Sequence, residues 1–182
     1  MVEEAPSVPG GAHEPIPYEA LVDLVRENGG QLRIDLSTIE VGKERKWRIP
    51  YLGYGRAWAK RIQGTCNGIL VDLVTTEVGR GRKWTFPYIG YGFGWAKSMR
   101  GDAGGNEIVL TAKKVGLEKK WGFPYFGYGF GWTQEMSGEC GGQLKADLST
   151  TDVRRHRKWG FPYFGYGFGW ADKCTLTLTL KE

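Results

Sequence analysis

The residues with the most chemical character in this chain are aromatic rings set beside cations. Four times the sequence reads Lys-Trp, then Pro-Tyr, then large side chains alternating with small ones up to a second Trp. The cores open at Lys46-Trp47, Lys83-Trp84, Lys120-Trp121 and Lys158-Trp159 and close at Trp58, Trp95, Trp132 and Trp170. Rings held rigid in this way can stack on a sugar or a base, or anchor a protein interface. The candidate aromatic face comprises Trp58 from the first copy, Tyr91, Phe93 and Trp95 from the second, Tyr128, Phe130 and Trp132 from the third, and Tyr166, Phe168 and Trp170 from the fourth.

The stretch before each leading Trp is basic. It holds Lys43, Arg45 and Lys46, then Arg80, Arg82 and Lys83, then Lys119 and Lys120, then Arg154, Arg155, Arg157 and Lys158. Read as equivalent turns of a symmetric body, these bases predict a rim at one end, suited to phosphate, sulfate, anionic lipid or an acidic protein surface. The plainer reading is a set of solvated hairpin turns that keep sheet edges from pairing with other chains. The charge is unevenly divided: residues 1–28 hold one Arg against six acids, whereas the whole chain has 25 bases and 20 acids. The acidic start is therefore a candidate counter-charge that folds back across the rim.

Catalysis finds no support. His13 and His156 each occur once, and neither belongs to the repeat. No Cys/His ligand spacing, phosphate-cradling loop or nucleophile motif is present, so no catalytic residue, metal or cofactor is expected. An apolar pigment against the rings has no residue that would specify it. Cys66 and Cys140 follow Trp58 and Trp132 at the same spacing and would lie opposite each other in a ring of four, too far apart to pair. Cys140 and Cys174 flank the last hairpin and are the pair that could meet. Three cysteines form no even framework, which favours a reducing intracellular or organellar compartment. Met1 to Pro9 has neither a basic start nor an apolar run, so no uncleaved secretory signal is expected, and a targeting peptide already removed is compatible with the sequence.

The elements that must position these residues follow from the repeat. Of eight Trp, nine Tyr and eight Phe, all but Tyr18 lie between Trp47 and Trp170. Upstream of each basic stretch, aliphatic residues alternate: Leu32, Ile34 and Leu36; Ile69, Val71 and Leu73; Ile108 and Leu110; Leu144, Ala146 and Leu148. A period of two is a strand with one apolar face. Asp35, Asp72 and Asp147 share one outward position, and Val109 replaces the acid in the third copy. Each unit thus reads as a β-hairpin, turning in the basic stretch (at residues 155 and 156 in the fourth copy). Pro50, Pro87, Pro124 and Pro162 would then interrupt the second strand. In the favoured register the aliphatics fill the space above the glycines and the rings point outward. A register shift at the prolines would instead make the rings the core.

The expected fold is all-β: four tandem hairpin repeats in a closed antiparallel array, a barrel or ring of about eight strands, with a short N-terminal helix and a C-terminal strand. Residues 1–16 form an extended arm, 17–28 an amphipathic helix and 29–182 the repeat domain. The units span about 29–66, 67–104, 105–140 and 141–174, and 175–180 is the closing strand. The function expected is a non-enzymatic scaffold or docking subunit of a larger protein assembly. The alternative is a multivalent lectin or a binder of polyanions such as an anionic glycan or acidic protein surface, and nucleic acid is a further alternative. Nucleic acid is disfavoured because no recognised motif accompanies the Lys-Trp pairs. Membrane insertion is disfavoured because lysines abut the rings and the upstream strands lack an apolar outer face.

Overall fold

The computed structural model describes residues 15–48, 52–85, 89–122, 126–160 and 164–181. For residues 45–48, 52–55, 82–85, 89–92, 119–122, 126–129, 157–160 and 164–167 it describes the backbone alone. One helix, α1 (Tyr18–Glu27), precedes eight strands: β1 (Gln31–Arg48), β2 (Leu52–Cys66), β3 (Ile69–Thr85), β4 (Ile89–Ala103), β5 (Asn106–Gly122), β6 (Phe126–Cys140), β7 (Leu144–Gly160) and β8 (Phe164–Leu180). The strands close in chain order into an antiparallel barrel, β8 returning to β1. Closure leaves no free edge around the wall it encloses.

Two kinds of turn build the wall. At the helix end the links are tight: Asn67-Gly68 (φ 52° and 78°) and Gly104-Gly105 (φ 58° and 87°) sit in the left-handed region that a two-residue hairpin requires. At the other end, β1 pairs with β2 as far as Arg48↔Leu52, and β7 with β8 as far as Gly160↔Phe164. The four basic stretches are therefore inside β1, β3, β5 and β7, not in turns, and residues 155 and 156 lie mid-strand opposite Gly169 and Phe168. The four prolines, expected to interrupt the second strand of each unit, lie outside the described residues. The basic stretches were read as turns because clustered charge is common at turns. Here it lies instead on strands whose outer sides leave the wall. Thr175–Leu180 likewise is no separate strand. It is the far half of β8, whose Thr175–Thr179 pair with Gln31–Asp35 of β1.

Each hairpin changes character at a pair of facing bulges. In β1 and β2 the register runs Thr38↔Ile62, Glu40↔Arg61, Val41↔Ala59, passing over Ile39 and then Lys60. The same shift recurs at Thr75/Glu77, Ala112/Lys114 and Thr150/Asp152. On the helix side of the bulges every strand pairs with both neighbours. Beyond them the pairing between hairpins ends, at Arg61↔Val74, Ser98↔Thr111, Glu135↔Ser149 and Ser37↔Lys173. A bulge bends a strand and raises its twist. Four ribbons thus leave the barrel wall at one level.

The core lies on the helix side. Leu32, Ile34, Leu36, Leu73, Ile108, Leu110, Leu176 and Leu178 fill the barrel, joined by Leu21, Val22 and Val25 of α1. The helix plugs the barrel mouth with one apolar stripe, while Ala20 is exposed. Gly29 and Gly30, at φ 80° and 89°, end it in a Schellman turn: the Gly30 N–H donates to Val25 O and the Gly29 N–H to Arg26 O. Tyr18 fixes the other end, its hydroxyl donating to Cys140 O and accepting from the Gln143 N–H, both at 2.7 Å.

Candidate functional site

Beyond the bulges the even strands approach one another, and glycine permits it. A Cβ on Gly131 would lie 2.9 Å from the Phe93 Cβ, one on Gly169 2.7 Å from the Phe130 Cβ, and one on Gly94 3.2 Å from the Arg56 Cβ. The fourth seam is closed by Ala57 against Phe168. The arrangement is a pinwheel, in which the large-residue face of each ribbon packs on the small-residue face of the next. Phe93, Phe130 and Phe168 are 8%, 4% and 2% exposed. This corrects the expectation of an outward aromatic face. That expectation assumed a single wall with an inside and an outside, whereas here the ribbons stack face on face, so the glycines of one cover the rings of another.

The closing Trp residues sit at the margin of this packing, half-buried. On their own ribbons Trp58, Trp95 and Trp132 lie over Gly42, Gly79 and Gly116, where a Cβ would meet the indole at 2.1–2.3 Å. From the next ribbon a cation covers three of the four, Trp58, Trp132 and Trp170. Arg80 lies 5.9 Å from the Trp58 ring, Arg155 5.6 Å from Trp132, and Lys43 5.5 Å from both Phe168 and Trp170. Contacts of this kind contribute roughly 0.5–1 kcal/mol each at exposed sites. The fourth equivalent position is Leu117, paired with Gly131 as Arg80 is with Gly94, and it is 42% exposed.

Carboxylates hold the arginines in place. Glu44 accepts from Arg80 Nε and from Arg56 Nη1, each at 3.2 Å. Glu118 accepts from Arg155 Nε, and Asp172 lies 3.3 Å from Arg154. Of the predicted rim, Lys43, Arg80, Arg154 and Arg155 thus have described side chains, and each is engaged by a ring or an acid of this chain. The side chains of Arg45, Lys46, Arg82, Lys83, Lys119, Lys120, Arg157 and Lys158 lie outside the described residues, as do those of Tyr91, Tyr128 and Tyr166. The acids were missed by sequence reasoning although Glu44 and Glu118 occupy equivalent repeat positions, a signal the basic count obscured.

A second missed group is a set of hydroxyls level with the bulges. Thr38 donates to Ala171 O and Thr75 to Ala59 O, both at 2.6 Å, and Thr150 donates to Thr133 O. Below the indoles the four Trp, Thr133, Thr150 and the apolar residues around them enclose a cavity of about 20 Å³. That is room for one water, not for a sugar or pigment. Among the described residues, no group of three or more His, Cys, Asp or Glu is placed to hold a metal ion.

The thiols are all free. Burial pushes Cys140 and Cys174 up to about 11, with Asp102 and Asp172 adding to the rise and the Thr150 hydroxyl opposing it at Cys174. Both are mostly protonated thiols at neutral pH, poor nucleophiles and poor metal ligands. On the outer wall, Asp72 takes two hydrogen bonds from Arg61, at 2.6 and 2.9 Å, which hold its carboxyl below the usual range.

No family model, curated protein or solved structure matches this chain.

Proposed function

We propose that the protein is a non-enzymatic scaffold or docking subunit that joins a larger assembly through the four hairpin ends farthest from the helix. The supporting observation is the split at the bulges. On one side is a helix-plugged barrel whose core is complete, and on the other are four ribbons that carry the same Lys-Trp pairs at equivalent register positions. A repeated set of rings and bases at one pole offers several equal contacts to one partner.

The burial of Phe93, Phe130 and Phe168 narrows this reading. Those rings serve the pinwheel, so docking falls to the half-buried Trp margin and to the ends beyond it. A multivalent lectin or polyanion binder is the second reading, favoured by the fourfold Lys-Trp, and it weakens because Arg80, Arg154 and Arg155 already engage acids of this chain. Nucleic acid and membrane insertion are disfavoured, the latter because outward wall positions include the charged Arg61, Asp72, Arg100 and Glu107.

The test is the hydrodynamic size of the tagged full chain in extracts of its native source. The chain should elute within a complex far above monomer size. A variant with Trp47, Trp84, Trp121 and Trp159 all changed to Ala should elute as a folded monomer with its melting temperature kept. A wild-type monomer that binds immobilised heparin or glycans would replace this reading with the second.

A further inference from the structure

One level of the barrel core departs from the aliphatic filling of the rest. The residue four places after each closing Trp is Ile62 in the first copy, then Met99, Met136 and Cys174. All four are buried in the barrel core. Met1 is the one other methionine of the chain. Among the described residues, the remainder of that buried core is Leu, Ile, Val and Ala with Cys140. The spacing conceals the group, because each hairpin supplies one member and the interval is that of the repeat. Only closure of the barrel brings β4, β6 and β8 around one axis, so that sulfur approaches from three sides and Ile62 from the fourth.

All four residues line the cavity beneath the indoles. The Cys174 Sγ lies 3.9 Å from Thr150 Oγ1 of the same wall. A volume of about 20 Å³ admits a bare ion or one water. Water finds few partners there, since the Thr133 and Thr150 hydroxyls already donate to Ala96 O and Thr133 O.

Thioethers and a thiolate are soft ligands, which select Cu(I) over the hard cations that need oxygen. Charge decides the oxidation state. Cu(I) with one thiolate and two neutral thioethers carries no net charge, whereas Cu(II) or Zn(II) would leave a positive charge in an apolar core. The four indoles that bound the cavity add electron-rich rings beside a cation.

We infer that Met99, Met136 and Cys174 form a site for one Cu(I) ion, enclosed by Ile62 and the four indoles. On binding, the Cys174 S–H bond breaks, a Cu–S bond forms and the proton passes to solvent, while the copper stays Cu(I). Burial keeps the free Cys174 thiol protonated and a poor ligand. The ion must therefore displace that proton, and the two thioethers, which carry none, supply the rest of the hold. The site is inside the molecule and rests on nothing in the docking role of the hairpin ends.

Competition with bicinchoninate tests it. The full chain, in a Cys66→Ser, Cys140→Ala background kept reduced under nitrogen, is titrated against the Cu(I)–bicinchoninate complex. One ion per chain should transfer, and X-ray absorption of the loaded protein should show sulfur neighbours without oxygen. Affinity should rise about tenfold per pH unit between about pH 6 and 8, because each ion releases one proton. Met99→Leu and Met136→Leu keep the core apolar, and each should weaken binding roughly tenfold or more while the metal-free melting temperature changes little. Ile62→Met should tighten binding by adding a fourth sulfur. Cys174→Ser should bind more weakly and without the pH dependence. Failure of the chain to take copper from the chelator would overturn the inference. So would affinity indifferent to both Met→Leu changes, or a pH slope that survives Cys174→Ser.

Discussion

The Thr133 hydroxyl donates its hydrogen bond to the carbonyl oxygen of Ala96, across the seam between two hairpins. At that level every even strand presents one carbonyl to the barrel interior, and each is met by a threonine. Ala59 O receives Thr75, Thr133 O receives Thr150, and Ala171 O receives Thr38. By the repeat, Ala96 O should receive residue 112, which is Ala. Thr133, standing where the other copies have Ala, supplies the hydroxyl from the opposite side instead. Two departures from the repeat are thus one compensated change.

Thr133→Ala should lower unfolding stability by about 1–3 kcal/mol, the cost of a buried carbonyl left without a donor. Ala112→Thr alone should change little, and in the Thr133→Ala background it should recover most of the loss. Urea melts of the two single variants and the double variant read the coupling directly, and simple additivity would refute the compensation.

The glycines of the seams should resist substitution in graded order. Gly169→Ala places a Cβ 2.7 Å from the Phe130 Cβ, Gly131→Ala 2.9 Å from that of Phe93, and Gly94→Ala 3.2 Å from that of Arg56. Overpacking of this kind costs roughly 1–3 kcal/mol. Thermal melts should rank the losses in the same order, with Gly94→Ala the mildest because its Cβ has the most room.

Leu117→Lys should place a fourth cation beside Trp95, completing the set formed by Lys43, Arg80 and Arg155. The expected gain is about 0.5–1 kcal/mol, and the similarly long but uncharged Leu117→Gln should not reproduce it. Equal melting temperatures for the Lys and Gln variants would show that the seam draws nothing from the charge.

Acid should find the outer wall at Asp72. Its folded carboxyl titrates below the unfolded value because of Arg61, so the stability it contributes is present above about pH 4. That contribution is lost as pH falls through the lower folded value. Asp72→Asn should therefore be less stable than the wild type at pH 7, and the difference should shrink towards zero on acidification. A gap independent of pH would assign the loss to packing.

Much of this architecture was legible in the sequence, because period-two aliphatics and a strict repeat leave few alternatives. Ile34, Leu73, Leu110 and Leu148 all reach the barrel core from strands read by alternation. The turn positions were misread because bases cluster and prolines interrupt. Asn67-Gly68 and Gly104-Gly105 carried the sharper turn chemistry for their end of the barrel. The seams were illegible for another reason. Alternation reports which residues share a face of one hairpin, but not which other hairpin lies against that face. Arg80 over Trp58 and Arg155 over Trp132 are relations between ribbons, and the spacing within a ribbon is silent about them.

The pinwheel also sets how many units the molecule must have. Each contact is heterologous, a large-residue face against a small-residue face, and such a contact either closes on itself or propagates indefinitely. Closure here comes when Phe168 reaches Ala57. A chain shortened by one whole repeat would expose one face of each kind, mutually complementary and unable to meet within the same molecule. Its natural product is an open fibre, so the cyclic count of four is what lets these self-adhesive faces satisfy one another within a single chain.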